Sequence, residues 1–134
     1  MIVGEAPGER EVHEGIPFVG YSGQELSKML HEAGINRNEC FLTNVCRVRP
    51  PGNDIGAFVA MRKSDITPQH GLIRDKYVMP PVWDGLEALT REIEMVRPNV
   101  IIAFGNLATW ALTGNWGIMS WRGSVLECDL KLSL

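Results

Sequence analysis

Met1-Ile2-Val3 running into Gly4-Glu5-Ala6-Pro7-Gly8, and on to Pro17-Phe18-Val19-Gly20, decides how this chain is read. The apolar triplet is the end of a buried strand. In open α/β sheets, the loop that leaves the carboxyl end of such a strand borders the ligand crevice. The glycines let backbone approach a bound group closely, and the prolines fix the path of the loop. Glu5 and Glu11 are therefore expected to stand beside Phe18. Acids next to a flat apolar face suit a planar heterocycle that is stacked and then attacked.

Outward from this loop, which is expected to last to Tyr21, the periodicity predicts a helix from Ser22 through Ala33. Ser22 would be its N-cap with Glu25 as capping-box partner, Leu26, Met29 and Leu30 its apolar stripe, and Gly34 its stop. A second strand fits Cys40-Phe41-Leu42-Thr43. Residues 50–81 are rich in breakers and read as irregular, with a short helix over Ile55–Met61; a loop of that length is usually functional or mobile. Helix resumes over Val82–Val96, where Leu86, Leu89, Ile93 and Val96 recur at helical spacing and Pro98 closes it. Asn99–Phe104 then reads as a buried strand, Gly105 as a turn, and Asn106–Leu112 as a helix ended by Gly114, a unit typical of doubly wound sheets. Trp121–Cys128 and Leu130–Leu134 read as two further strands with a turn at Asp129.

A chain of 134 residues with 45% hydrophobic residues fits one small domain. Its longest apolar stretches are strand-sized and its start carries no basic segment before an apolar core, so the expectation is a soluble, cytoplasmic protein without membrane contact. Cys40, Cys46 and Cys128 form no C-x-x-C pair, which disfavours a disulfide framework or a zinc site. The net charge of −3 sits awkwardly with nucleic-acid binding. Charge distribution can offset this: Arg47 and Arg49 lie close together, and Arg62, Lys63, Arg74 and Lys76 crowd the middle segment, where they form either a positive stripe or ordinary solvated surface.

In GEAPG, in Glu11, Gly15, PFVG and Gly23, in Thr43-Asn44-Val45 and Arg49-Pro50-Pro51, and in Glu92-Ile93, Arg97-Pro98 and Ile101–Ala108, the chain resembles the family 4 uracil-DNA glycosylases. The resemblance covers nearly the whole chain except an insertion at about 52–81. It implies a three-layer α/β/α sandwich about a central, mostly parallel sheet. It also implies hydrolysis of the N-glycosidic bond of uracil in DNA, an enzyme that must unstack the nucleotide and hold the base in a pocket.

By this resemblance Glu5 is the principal acid, positioning or activating water and countering positive charge on the sugar. Phe18 is the stacking wall. Asn44 reads the Watson–Crick edge, because an amide can pair with N3–H and O4 together. Glu11 crowds the C5 edge so that thymine is refused. Gly4, Ala6, Pro7 and Gly8 line the base or nearby phosphates, and Arg47 and Arg49 are expected on DNA. The plainer readings stay open beside these: Phe18 as core, Glu5 or Glu11 as loop caps, Asn44 as a turn residue.

Two departures from the family pattern bear on activity. The family holds an iron–sulfur cluster on four cysteines, and here Val48 and Gly85 stand at the third and fourth places while the chain begins after the first pair, so no metal or cofactor is expected. The family's C-terminal H-P-S/A segment has no counterpart before Leu134, and His13, His31 and His70 do not match it. The chain is thus expected to be a single glycosylase-like domain truncated at its ends, or one of degraded activity. The rival expectation is a weak or inactive DNA-binding accessory domain of the same fold, working beside replication or repair proteins in a phage or bacterium.

Overall fold

The computed structural model describes residues 1–129. Its elements are β1 (Ile2–Gly4), α1 (Glu9–Glu14), α2 (Tyr21–Glu32), β2 (Leu42–Asn44), β3 (Gly71–Ile73), β4 (Lys76–Val78), α3 (Pro80–Val96), β5 (Ile102–Ala103), α4 (Asn106–Thr113) and α5 (Ile118–Trp121), with short 3-10 turns between α2 and β2 and along residues 51–65. The main sheet is parallel, in the order β2-β1-β5. β1 is its middle strand.

Side chains alternate across a strand, so neighbours in β1 face opposite layers. Ile2 is in register with Leu42 and Ile102, and these pack with Leu26 and Leu30 of α2 on one face. Val3 belongs instead to a larger core with Val82, Leu86 and Leu89 of α3 and with Leu107, Trp110 and Ala111 of α4. Helices thus cover both faces of a parallel sheet. This is the three-layer α/β/α arrangement expected from the sequence, and it explains why β1 is apolar at consecutive positions.

Most strands and the main helices fall close to their expected places, but the buried strand expected over Asn99–Phe104 is only the half-buried pair Ile102–Ala103, with Val100 exposed, since it is bonded to β1 alone at one side of the sheet. α1 lies inside the segment read as loop; none of its residues is buried, so no apolar period announces it. Helix α2 begins one residue earlier than predicted, at Tyr21, with Gly20 and not Ser22 as its N-cap and without the Ser22–Glu25 box. The carboxylate serving that end comes from Glu11, which accepts the Gly20 N–H. Trp121 closes α5, and 122–128 form no strand, against the expectation for Trp121–Cys128. The strand expected over Leu130–Leu134 lies outside the described residues.

The middle segment is more ordered than its breakers suggested. The helix expected over Ile55–Met61 is a 3-10 turn at Ile55–Ala57, after which Val59 bridges Val78 and both are fully buried. β3 and β4 form an antiparallel hairpin whose turn docks on α4: Arg74 donates to the Trp110 carbonyl at 2.8 Å, and Asp75 accepts the Trp110 indole N–H at 2.8 Å. Pairing of this kind depends on residues far apart in sequence, which local propensity does not report.

Gly85 shows how tightly α3 meets the sheet. A Cβ there would lie 1.9 Å from the Val45 carbonyl oxygen and 3.4 Å from the Cys46 Cα. Helix and strand touch backbone to backbone. Gly85→Ala should therefore destabilise the fold by about 1–3 kcal/mol, the usual range for overpacking, read as a lower urea midpoint; an unchanged midpoint would mean that α3 can shift away at no cost.

Candidate active site

At the carboxyl end of the sheet, β1 and β5 send the chain to opposite faces, β1 toward α2 and β5 toward α4. Such a switch point leaves a crevice between the strand ends. Glu5 stands in it. The ladder extends one residue past β1, with the Cys46 N–H bonded to the Glu5 carbonyl at 2.9 Å, and the Glu5 Oε2 accepts the Leu107 N–H at 2.9 Å. Gly105 makes this approach possible: it lies at φ 95°, and a Cβ there would be 2.5 Å from the Glu5 carboxyl carbon.

Burial raises the Glu5 pKa above the ordinary carboxylate value, and the Leu107 N–H only partly opposes the rise. A carboxylate so placed takes up a proton closer to neutral pH than an exposed one. Its charge is felt by Cys46, whose thiol is pushed up to about 12 by burial and then by Glu5, against the pull of Arg47.

Gly4 brings the expected recognition residues together. A Cβ on it would lie 2.5 Å from the Asn44 Oδ1 and 2.7 Å from the Phe18 Cζ, so only glycine lets the ring and the amide converge. Asn44 is half-buried at the end of β2, and its side-chain amide has no hydrogen-bond partner among the described residues. Phe18 is half-buried against the Ile2 and Leu26 core at φ 55°. That left-handed conformation costs an ordinary residue about 1–3 kcal/mol and persists only where its surroundings enforce it.

Glu11 supplies part of that enforcement. One carboxylate oxygen accepts the Gly8 N–H at 2.9 Å, and the other accepts Val19 N–H at 3.0 Å and Gly20 N–H at 2.6 Å. It ties the two arms of the loop together. Glu5, Ala6, Pro7, Gly8 and Glu11 line a cleft of about 430 Å³, joined by Tyr21 and Asn53, which sequence reasoning missed. Phe18 and Asn44 do not line this cleft and meet over Gly4 instead.

Residues 1–128 match the uracil DNA glycosylase superfamily. The chain belongs to that superfamily. It is 37% identical over 114 residues to the type-4 uracil-DNA glycosylase of Saccharolobus solfataricus, covering 81% of this chain and 41% of that protein. It is 36% identical over 108 residues to the Archaeoglobus fulgidus enzyme of that name, covering 81% and 44%, and 37% identical over 112 residues to that of Pyrobaculum aerophilum, covering 84% and 46%. The chain spans less than half the length of these curated relatives.

Within this superfamily fold, the basic residues are less available than the sequence suggested. Arg47 is paired with Glu92 of α3, which also accepts the Thr43 hydroxyl at 2.9 Å. Arg49 stays at the cleft side, its Nε donating to the Asn53 Oδ1 at 2.6 Å with Glu9 3.9 Å away. In the middle segment Arg62 pairs with Asp65 and Lys63 is exposed, while Arg74 is drawn onto the Trp110 and Asp129 carbonyls and Lys76 lies 5.1 Å from the centre of the Trp116 ring. No histidine lines the cleft; His70 is turned onto Thr67.

The places that correspond to cluster cysteines do not fit a cluster. Val48 offers no ligand, and Gly85 is packed against the Val45 carbonyl with no room for a side chain. Among the described residues, no group of three or more His, Cys, Asp or Glu side chains is placed to hold a metal ion, and no helix is long and apolar enough to cross a membrane.

The Glu11 clasp predicts a pH dependence. Burial pushes its pKa up, but the backbone N–H groups of Gly20, Gly8 and Val19 outweigh this and hold it below the ordinary value. Its contribution is therefore present above the unfolded carboxylate pKa of about 4.3 and lost as pH falls through the lower folded value. Urea midpoints followed from neutral pH into acid should fall more steeply for the parent than for Glu11→Gln. Parallel curves would mean that the charge on Glu11 does not matter to the loop.

Proposed function

We propose that this chain is the base-recognising part of a uracil-DNA glycosylase, hydrolysing the N-glycosidic bond of uracil in DNA for base excision repair inside the cell. The observation that carries the reading is Glu5, a half-buried carboxylate of raised pKa held by Leu107 at the switch point, next to the glycine over which Phe18 and Asn44 converge. The superfamily match and the names of the relatives support it.

In this reading the flipped uracil stacks on Phe18 and pairs its N3–H and O4 with the Asn44 amide. Water attacks C1′ as the bond to N1 breaks, the bonding pair leaves with the base, and Glu5 accepts a proton from the water. Before that transfer, the carboxylate charge favours the positive character growing on the sugar. Ala6, Pro7 and Gly8 form the wall of the cleft. Glu11 excludes the thymine methyl by keeping the loop rigid, since its oxygens are already engaged by backbone N–H groups. Arg49 is the better placed of the two arginines for a phosphate, because Arg47 must first leave Glu92.

The net charge of −3 favours a second reading, a weak or inactive DNA-binding accessory domain of the same fold in phage or bacterial replication or repair, docked to proteins of those systems. Alkaline cleavage of uracil-containing oligonucleotides separates the two. The glycosylase should cut, fastest on single strands, then on U·G, then on U·A, following the cost of unstacking. Glu5→Gln should slow release by about 10²–10⁴ with DNA binding retained. Phe18→Ala should lose about tenfold or more, as stacking is worth ~1–3 kcal/mol, and Asn44→Ala a similar factor, as a bidentate base-edge pair is worth ~1–3 kcal/mol. Glu5→Gln should also unfold at higher urea at neutral pH. With its folded pKa raised, Glu5 favours folding only below the unfolded value, and this is lost as pH rises through the folded one. A folded parent that binds DNA and cuts none of these substrates establishes the accessory reading.

A further inference from the structure

Glu11 holds only one side of the Phe18 segment, the N–H groups of Val19 and Gly20. The carbonyl side is held by Arg37, a residue of the 3-10 turn Arg37–Glu39 between α2 and β2. Its Nη2 donates to the Phe18 carbonyl at 2.8 Å and to the Pro17 carbonyl at 3.0 Å. Its Nη1 donates to the Ser27 hydroxyl at 2.5 Å and the Gly23 carbonyl at 3.3 Å. Arg37 is half-buried and forms no ion pair with a carboxylate among the described residues, and its guanidinium hydrogen bonds there are all with the Phe18 segment and α2.

Gly23 completes the cradle. A Cβ on it would lie 1.9 Å from the Phe18 carbonyl oxygen, so the start of α2 is pressed directly against the strained peptide. A planar guanidinium can meet several carbonyls at once in a fixed fork, which a lysine ammonium cannot reproduce. An acid on one side and a base on the other thus hold the turn that keeps Phe18 at φ 55°.

We propose that Arg37 is a positioning residue for base recognition: by clamping the Pro17–Phe18 carbonyls from outside the cleft, it keeps the Phe18 ring over Gly4 beside Asn44. The inference rests on the glycosylase reading and deepens it. Arg37 acts only through Phe18, so its substitution should matter only while the ring is present.

The experiment has two arms, on Arg37→Met, Arg37→Lys, Phe18→Ala and the double variant Phe18→Ala/Arg37→Met. Hydrogen exchange needs no activity: in both Arg37 variants the Val19 and Gly20 amides should exchange about tenfold faster or more, while β1 and α3 amides keep their protection and certify the fold. In the rate arm, with single-stranded uracil substrate, Arg37→Met should lower kcat/KM about tenfold in the parent and less than about twofold in the Phe18→Ala background. Arg37→Lys should recover little of the loss. Unchanged exchange at Val19 and Gly20, or an equal rate loss in both backgrounds, overturns the proposal. A parent inert on uracil DNA overturns the glycosylase reading instead, and the exchange arm still decides whether Arg37 holds the turn.

Discussion

β1 is hydrogen-bonded along both edges and buried on both faces, and the rest of the molecule is arranged around that constraint. Ile2 commits one face to α2 and Val3 commits the other to α3 and α4. A strand held in this way cannot slip by one residue without turning its whole apolar set onto the wrong layers. Its carboxyl end is consequently a fixed point. Gly4 and Glu5 inherit that fixity, and Cys46 and Leu107 extend it by bonding Glu5 from the chain just past β2 and from α4 respectively.

Around this fixed point, the loop from Ala6 to Gly20 is held by its charges as much as by its packing. Glu11 gathers backbone donors from both arms, and Arg37 gathers the carbonyls of the adjoining peptides. Each charge replaces the water that those backbone groups would otherwise need, because buried backbone polar groups must find partners. The strain at Phe18 is the counterpart of this arrangement. A ring carried on backbone held in a sparsely populated conformation is ordered by its surroundings, here by the charges on either side of it.

Glu5 shows the opposite balance. Its burial raises the energy of the carboxylate, and one N–H does not restore what water would give. The fold therefore carries a cost at this residue that a neutral side chain in the same place would not impose. The distant Glu92, accepting from Thr43 and Arg47 on either side of Asn44, braces β2 and the chain just past it against α3.

The sequence by itself determined the elements whose signals are local: a buried strand before GEAPG, the amphipathic helices around Leu26 and Leu86, and the strand–glycine–helix unit at Gly105. Apolar period and glycine punctuation carry these without reference to the fold. Tertiary structure decided what each side chain does at the site. Glu11 spans from Gly8 to Gly20 only because the loop doubles back, Arg37 reaches Phe18 only because α2 returns the chain beside it, and Arg47 and Arg74 are taken up by Glu92 and by the end of α4. These partners are far apart along the chain, and no pattern of spacing encodes the distance between them in space.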